Sequence, residues 1–130
     1  KSEDKTADLD EAELHTDDTF YKWTIMVIEG TEYQVVGRID RYQVKDDGTK
    51  VLVEIKNRTK ALFNKVRDYE FVQVLTYLHM MNLKEARLIE QFNKERKSYD
   101  INFDQEYWNS DVIPKMENFC KTFHHMLGQA

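Results

Sequence analysis

One cysteine, one proline and four glycines are all that 130 residues contain. With a single thiol, Cys120, there is no internal disulfide framework, and no zinc or iron–sulfur centre can be built from this chain's cysteines alone. A reducing, intracellular compartment fits that usage. No apolar run approaches the roughly 20 residues that span a bilayer, so no membrane association is expected, and no signal peptide is legible. Internal repeats and low-complexity tracts are also missing. A single-domain length with 41% hydrophobic residues can bury one modest core.

A positive total charge is missing too, because the formal net charge is −5. The deficit is local. Residues 1–18 hold eight acids against two lysines, which leaves 17 bases and 16 acids in the other 112 residues. The chain therefore divides into residues 1–19, an acidic flexible leader or the remnant of an N-terminal helix, and a near-neutral domain over 20–130. Within that domain Lys56, Arg58, Lys60, Lys65 and Arg67 follow one another without an intervening acid. Local charge of this kind governs phosphate binding more than the total does.

Phe20 to Glu29 is dense in β-branched and aromatic residues and reads as a strand. Gly30-Thr31 makes a turn, and Tyr33–Val44 and Lys50–Asn57 are the second and third strands of an antiparallel meander. Gly37 marks a bulge, or a close approach by another backbone. Asp46-Asp47-Gly48 is a turn signal. A hairpin symmetric about Asp47 pairs residues whose numbers sum to 94, which sets Asp40 across from Glu54 with Lys56 one step further along the same face. Two carboxylates roughly 5 Å apart at the backbone beside an ammonium are a candidate divalent-metal site. Taken alone, a Glu-x-Lys triplet on a strand is a solvated ion pair.

Val66 to Asn82 has the spacing of a helix, with Phe71, Val74, Leu75, Leu78 and Met81 as its buried stripe. Gln73 and Tyr77 share a neighbouring face with Glu70. Glu85–Phe92 is a fourth strand, reached by the crossover that a parallel strand requires, and Asn93–Asp100 is a loop. Asn109, Ser110 or Asp111 caps a last helix, with Pro114 in its first turn and an apolar stripe of Met116, Phe119, Phe123 and Leu127. His124-His125 is expected at the surface and Cys120 as a small packing residue. His15, in the leader, is expected as a surface histidine.

Gly37-Arg38-Ile39-Asp40, then Val53-Glu54-Ile55-Lys56, then Gln73-x-x-x-Tyr77 on a helix, in that order, resemble the PD-(D/E)xK nuclease superfamily. Within it the chain is most similar to RecB-type and phage-exonuclease-like (YqaJ) members that carry no iron–sulfur cluster. The likeness spans Tyr33 to about Asn93. It departs from the pattern where Ile39 replaces the customary proline and where the N-terminal helix is short or absent. The latter implies a protein partner, or a longer parent chain, that completes the helix.

The resemblance implies an α/β fold with a restriction-endonuclease-like core: a central mixed sheet of about four strands, an antiparallel meander then a helix crossover, flanked by helices. It implies Asp40, Glu54, Lys56, Gln73 and Tyr77 as catalytic residues, and Mg²⁺ or Mn²⁺ held by Asp40, Glu54 and the Ile55 carbonyl. Hard oxygen donors suit those ions better than zinc. The resemblance also implies a metal-binding His or acid upstream of the first strand, for which His15 and Glu11 are the candidates. In the same reading Arg58, Lys60, Lys65 and Arg67 contact the phosphates of linear single- or double-stranded DNA. The implied activity is phosphodiester hydrolysis, with an exonuclease in DNA processing, repair or recombination ahead of two alternatives. These are a catalytically silent nucleic-acid-binding or assembly module, and a structure-specific endonuclease.

Overall fold

A computed structural model describes residues 14–16, 18–38 and 41–129. They form two units, and the chain passes from one to the other between Thr19 and Phe20, after Arg38 and after Phe103. The first takes the described residues through Thr19 and those from Arg41 to Phe103; the second takes Phe20–Arg38 and the segment from Asp104 onward.

The first unit is an α/β layer built on a mixed five-stranded sheet. Its strands are β1 (His15–Thr16), β4 (Arg41–Val44), β5 (Lys50–Asn57), β6 (Glu85–Phe92) and β7 (Glu95–Asn102), side by side in that order. β5 and β6 run parallel, joined by α1 (Asp68–Met81); the other neighbours are antiparallel. Central strands face cover on both sides, so Val51, Leu52 and Val53 of β5 and Leu88 and Ile89 of β6 are all buried. Against one face lie Val74, Leu75 and Leu78 of α1, each fully buried and each worth about 1.5–3 kcal/mol on transfer from water. On the other face Val53 and Ile89 are capped by Leu14 and Ile55. α1 ends at Asn82, whose left-handed backbone returns its N–H to the His79 carbonyl.

The β4–β5 turn keeps the register expected from the sequence. Tyr42 pairs with Leu52, Gln43 with Val51 and Val44 with Lys50, and each pair sums to 94. The expected pairing of Asp40 with Glu54 lies outside the described residues, as does Glu11.

The second unit contains the hairpin of β2 (Phe20–Ile28) and β3 (Thr31–Arg38), which is a sheet of its own. The expected single strand Tyr33–Val44 is therefore two strands in two sheets, and the meander is not continuous. Period-two alternation runs through both halves, but alternation does not name a pairing partner. Both turn residues, Glu29 and Gly30, have positive φ, as a two-residue hairpin turn of the type I′ class needs. Register shifts between Thr24 and Met26, whereas Gly37 sits in the ladder opposite Tyr21.

The C-terminal helical run starts at α2 (Gln105–Tyr107), passes a π turn at Trp108–Val112 and continues as α3 (Ile113–Leu127). Its cap is Asp104, whose carboxylate accepts from the Tyr107 N–H, rather than Asn109, Ser110 or Asp111. The buried face carries Trp108, Val112 and Cys120, and Trp108 meets Trp23 of the hairpin. Phe119, Phe123 and Leu127 of the expected stripe are exposed instead, together with Met126. The expected stripe lies wholly within α3, past the π turn, and helical spacing aligns an apolar face without requiring that anything cover it. No described helix is long and apolar enough to cross a membrane.

Candidate active site

Lys56 is the centre of the site. Strand alternation puts Leu52, Glu54 and Lys56 on the β5 face that α1 covers. Leu52 is fully buried at the floor, while Glu54 and Lys56 lie further along, with side chains 23% and 22% exposed. The Lys56 ammonium sits 3.3 Å from the Glu54 carboxylate and donates to Gln73 Oε1 at 2.9 Å. Gln73 Nε2 in turn donates to the Tyr77 hydroxyl at 3.2 Å. An ammonium only donates, so the amide oxygen must face Lys56 and the amide nitrogen Tyr77. One turn of α1 separates Gln73 from Tyr77, which aligns the two along the same helical face.

Four of the five expected catalytic side chains are thus linked, Glu54 to Lys56 by an ion pair and Lys56, Gln73 and Tyr77 by hydrogen bonds; Asp40, the fifth, lies outside the described residues. Among the described residues, no group of three or more His, Cys, Asp and Glu side chains could hold a metal ion. Glu54 supplies one hard anionic oxygen pair, and Ile55, next to it on β5, is half-buried. His15 is in the edge strand β1, exposed and stacked on Tyr42.

The expected phosphate-binding bases separate into two groups. Lys60, Lys65 and Arg67 are exposed in the loop between β5 and α1. Arg58 is turned inward: its guanidinium donates to Glu70 at 2.7 Å and to Glu90 at 3.0 Å, with its side chain 6% exposed. Its guanidinium is thus occupied by two buried carboxylates rather than presented at the surface, where the expected phosphate contact would need it.

Glu90 was not singled out by the sequence, although a glutamate inside the apolar run of β6 is the signal that marks it. Its Oε1 accepts from the Arg58 Nε–H and the Phe63 N–H, and its Oε2 from the Asn64 N–H and the Tyr99 hydroxyl. Burial alone would raise its carboxyl, but those four donors together hold it below its ordinary value. Glu70 follows the same logic. Burial opposes its charge, and Arg58 with the Arg67 N–H lowers it. Tyr99 is pushed well above the usual phenol range by burial and by its carboxylate partner.

The second unit holds another unexpected contact. His124, expected at the surface, shares one hydrogen bond with the Tyr33 hydroxyl through Nδ1 and another with Glu29 at 2.7 Å through Nε2.

No protein-family model and no curated protein matches the chain. Among solved structures it is similar to the crystal structure of SSO0001, with a TM-score of 0.56 and 22% identity over 68% of this chain. The matched part is 42% of that protein's chain, so this chain spans less than half its length. A likeness at that identity bears on the fold alone.

Proposed function

We propose that this chain is a metal-dependent nuclease of the PD-(D/E)xK kind that hydrolyses DNA phosphodiester bonds, acting as an exonuclease on linear DNA. One observation carries the reading: an ammonium on the central strand is ion-paired to the carboxylate two residues before it and held by a glutamine from the crossover helix. A solvated surface pair has no need of that third partner. The mixed sheet with its parallel β5–α1–β6 crossover is compatible with a restriction-endonuclease-like core.

The donor chemistry fits Mg²⁺ or Mn²⁺, since Glu54 offers hard anionic oxygen beside a partly open surface. Asp40, Glu54 and the Ile55 carbonyl would hold the ion, which when bound neutralises phosphoryl charge and acidifies water. The remaining work falls to the chain. Lys56 orients the attacking water or stabilises negative charge as it develops on the phosphoryl oxygens. Gln73 fixes the ammonium, and Tyr77 fixes Gln73. Lys60, Lys65 and Arg67 engage backbone phosphates.

A second reading, a nuclease-like assembly module without chemistry, draws on the exposed Phe119, Phe123, Met126 and Leu127 of α3. Thermal unfolding with and without Mn²⁺ separates the two. The nuclease reading expects a rise in Tm with Mn²⁺ that Asp40→Ala and Glu54→Ala each remove; no carboxylate-dependent rise contradicts it.

A further inference from the structure

The loop that carries the exposed bases is not loosely attached. Its middle is bound to a carboxylate that is fully buried and belongs to a different strand. Glu90 pairs in register with Lys56 across the parallel β5–β6 ladder, so it sits directly beside the catalytic strand. From there it accepts the Phe63 N–H at 2.7 Å and the Asn64 N–H at 2.9 Å. Two successive amides converging on one carboxylate fix the local backbone, and Asn64 adopts a left-handed conformation with φ 60. Arg58 completes the anchor from the loop's start, bridging Glu90 to Glu70 on α1. The Phe63 ring then packs against two guanidiniums, that of Arg58 at 3.6 Å and that of Arg67 at 4.0 Å. Asn57, Arg58, Thr59, Lys60, Ala61 and Phe63 wall a hollow of ≈ 300 Å³ on this loop.

We propose that Glu90 is the positioning residue of a preformed phosphate-binding loop: its carboxylate holds residues 63 and 64 so that Lys60, Lys65 and Arg67 stand ready for a nucleic-acid backbone. The proposal rests on the nuclease reading above for its ligand, but the anchor itself does not. Preorganisation is the benefit. A loop already held in place does not lose its backbone entropy when DNA arrives. A buried carboxylate is suited to the task because each amide it accepts would otherwise be a donor without a partner.

The test has two arms. Amide hydrogen exchange on the wild-type protein should show Phe63 and Asn64 protected to the same degree as the β5–β6 ladder. In Glu90→Gln one oxygen still accepts and the amide nitrogen cannot, so at least one of the two amides should exchange about tenfold faster or more while the ladder keeps its protection. DNA binding, read with Ca²⁺ in place of Mg²⁺, should weaken about tenfold, the cost of ordering roughly one residue's backbone on binding. On cleavage KM should rise with kcat held within about twofold. Tyr99→Phe, which removes a Glu90 partner outside the loop, should leave loop exchange and affinity unchanged. Unprotected Phe63 and Asn64 in the wild type overturn the proposal even if Glu90→Gln does not fold. So does a folded Glu90→Gln with wild-type exchange, or with wild-type affinity. If the wild type binds no DNA, the nuclease reading and the loop's role toward DNA both fail, and the exchange arm alone then decides whether Glu90 is the anchor.

Discussion

Replacing Arg58 by methionine removes the cation that two buried carboxylates share, while keeping an unbranched side chain of similar reach. Glu70 and Glu90 are 1% and 0% exposed, so neither can recover its lost partner from water. Breaking a buried ion pair from one side costs about 3–5 kcal/mol. In a chain of this length about 1 kcal/mol moves Tm by about 3–5 °C, so a fall of about 10–25 °C is expected at pH 7. The pH dependence tests the cause. In the wild type both carboxyls are held below their ordinary values, so their contribution is present above the unfolded pKa of about 4.3 and is lost as pH falls through the folded value. Without Arg58, burial dominates at Glu70 and lifts its folded pKa above the unfolded one. Protonation then favours the folded variant, and the gap to the wild type narrows as pH drops from 7 toward 4. Thermal unfolding followed by circular dichroism at several pH values reads this directly. A gap at pH 7 of only a few degrees, or one that stays constant across the range, refutes the reasoning.

Two further outcomes follow from the site. Gln73→Ala removes the acceptor that holds the Lys56 ammonium; a hydrogen bond to a charged group is worth about 1.5–3 kcal/mol, so kcat should fall about 10–150-fold while Tm changes little. Lys60→Ala combined with Lys65→Ala should weaken DNA binding and reduce the slope of log affinity against log salt by about 1.8, whereas Arg58→Met should leave that slope unchanged because Arg58 faces the interior.

The centre of the fold was legible because its elements are covered on both faces or amphipathic at one clear period. β5, α1 and β6 fall at or within about two residues of their expected bounds, and the hairpin register follows from the turn alone. β7 was missed, because Glu95–Asn102 is a polar edge strand whose partners are the side chains of β6, such as Gln91 with Arg96 and Arg87 with Asp100. Edge strands carry charge to discourage further pairing, and that same charge disguises them as loop. Arg58 was misassigned for a related reason. Sequence places it in a basic run, but only the fold brings Glu70 and Glu90, 12 and 32 residues away, to its two sides. The α3 stripe failed because helical periodicity identifies an apolar face without saying whether anything covers it.

The most direct measurement is degradation of end-labelled linear DNA, single- and double-stranded, in Mg²⁺, Mn²⁺ or EDTA, by the wild type and by Lys56→Ala. The account expects metal-dependent loss of the label that the variant abolishes. Cleavage that persists in Lys56→Ala, or a folded, metal-binding wild type that degrades neither substrate, would contradict it.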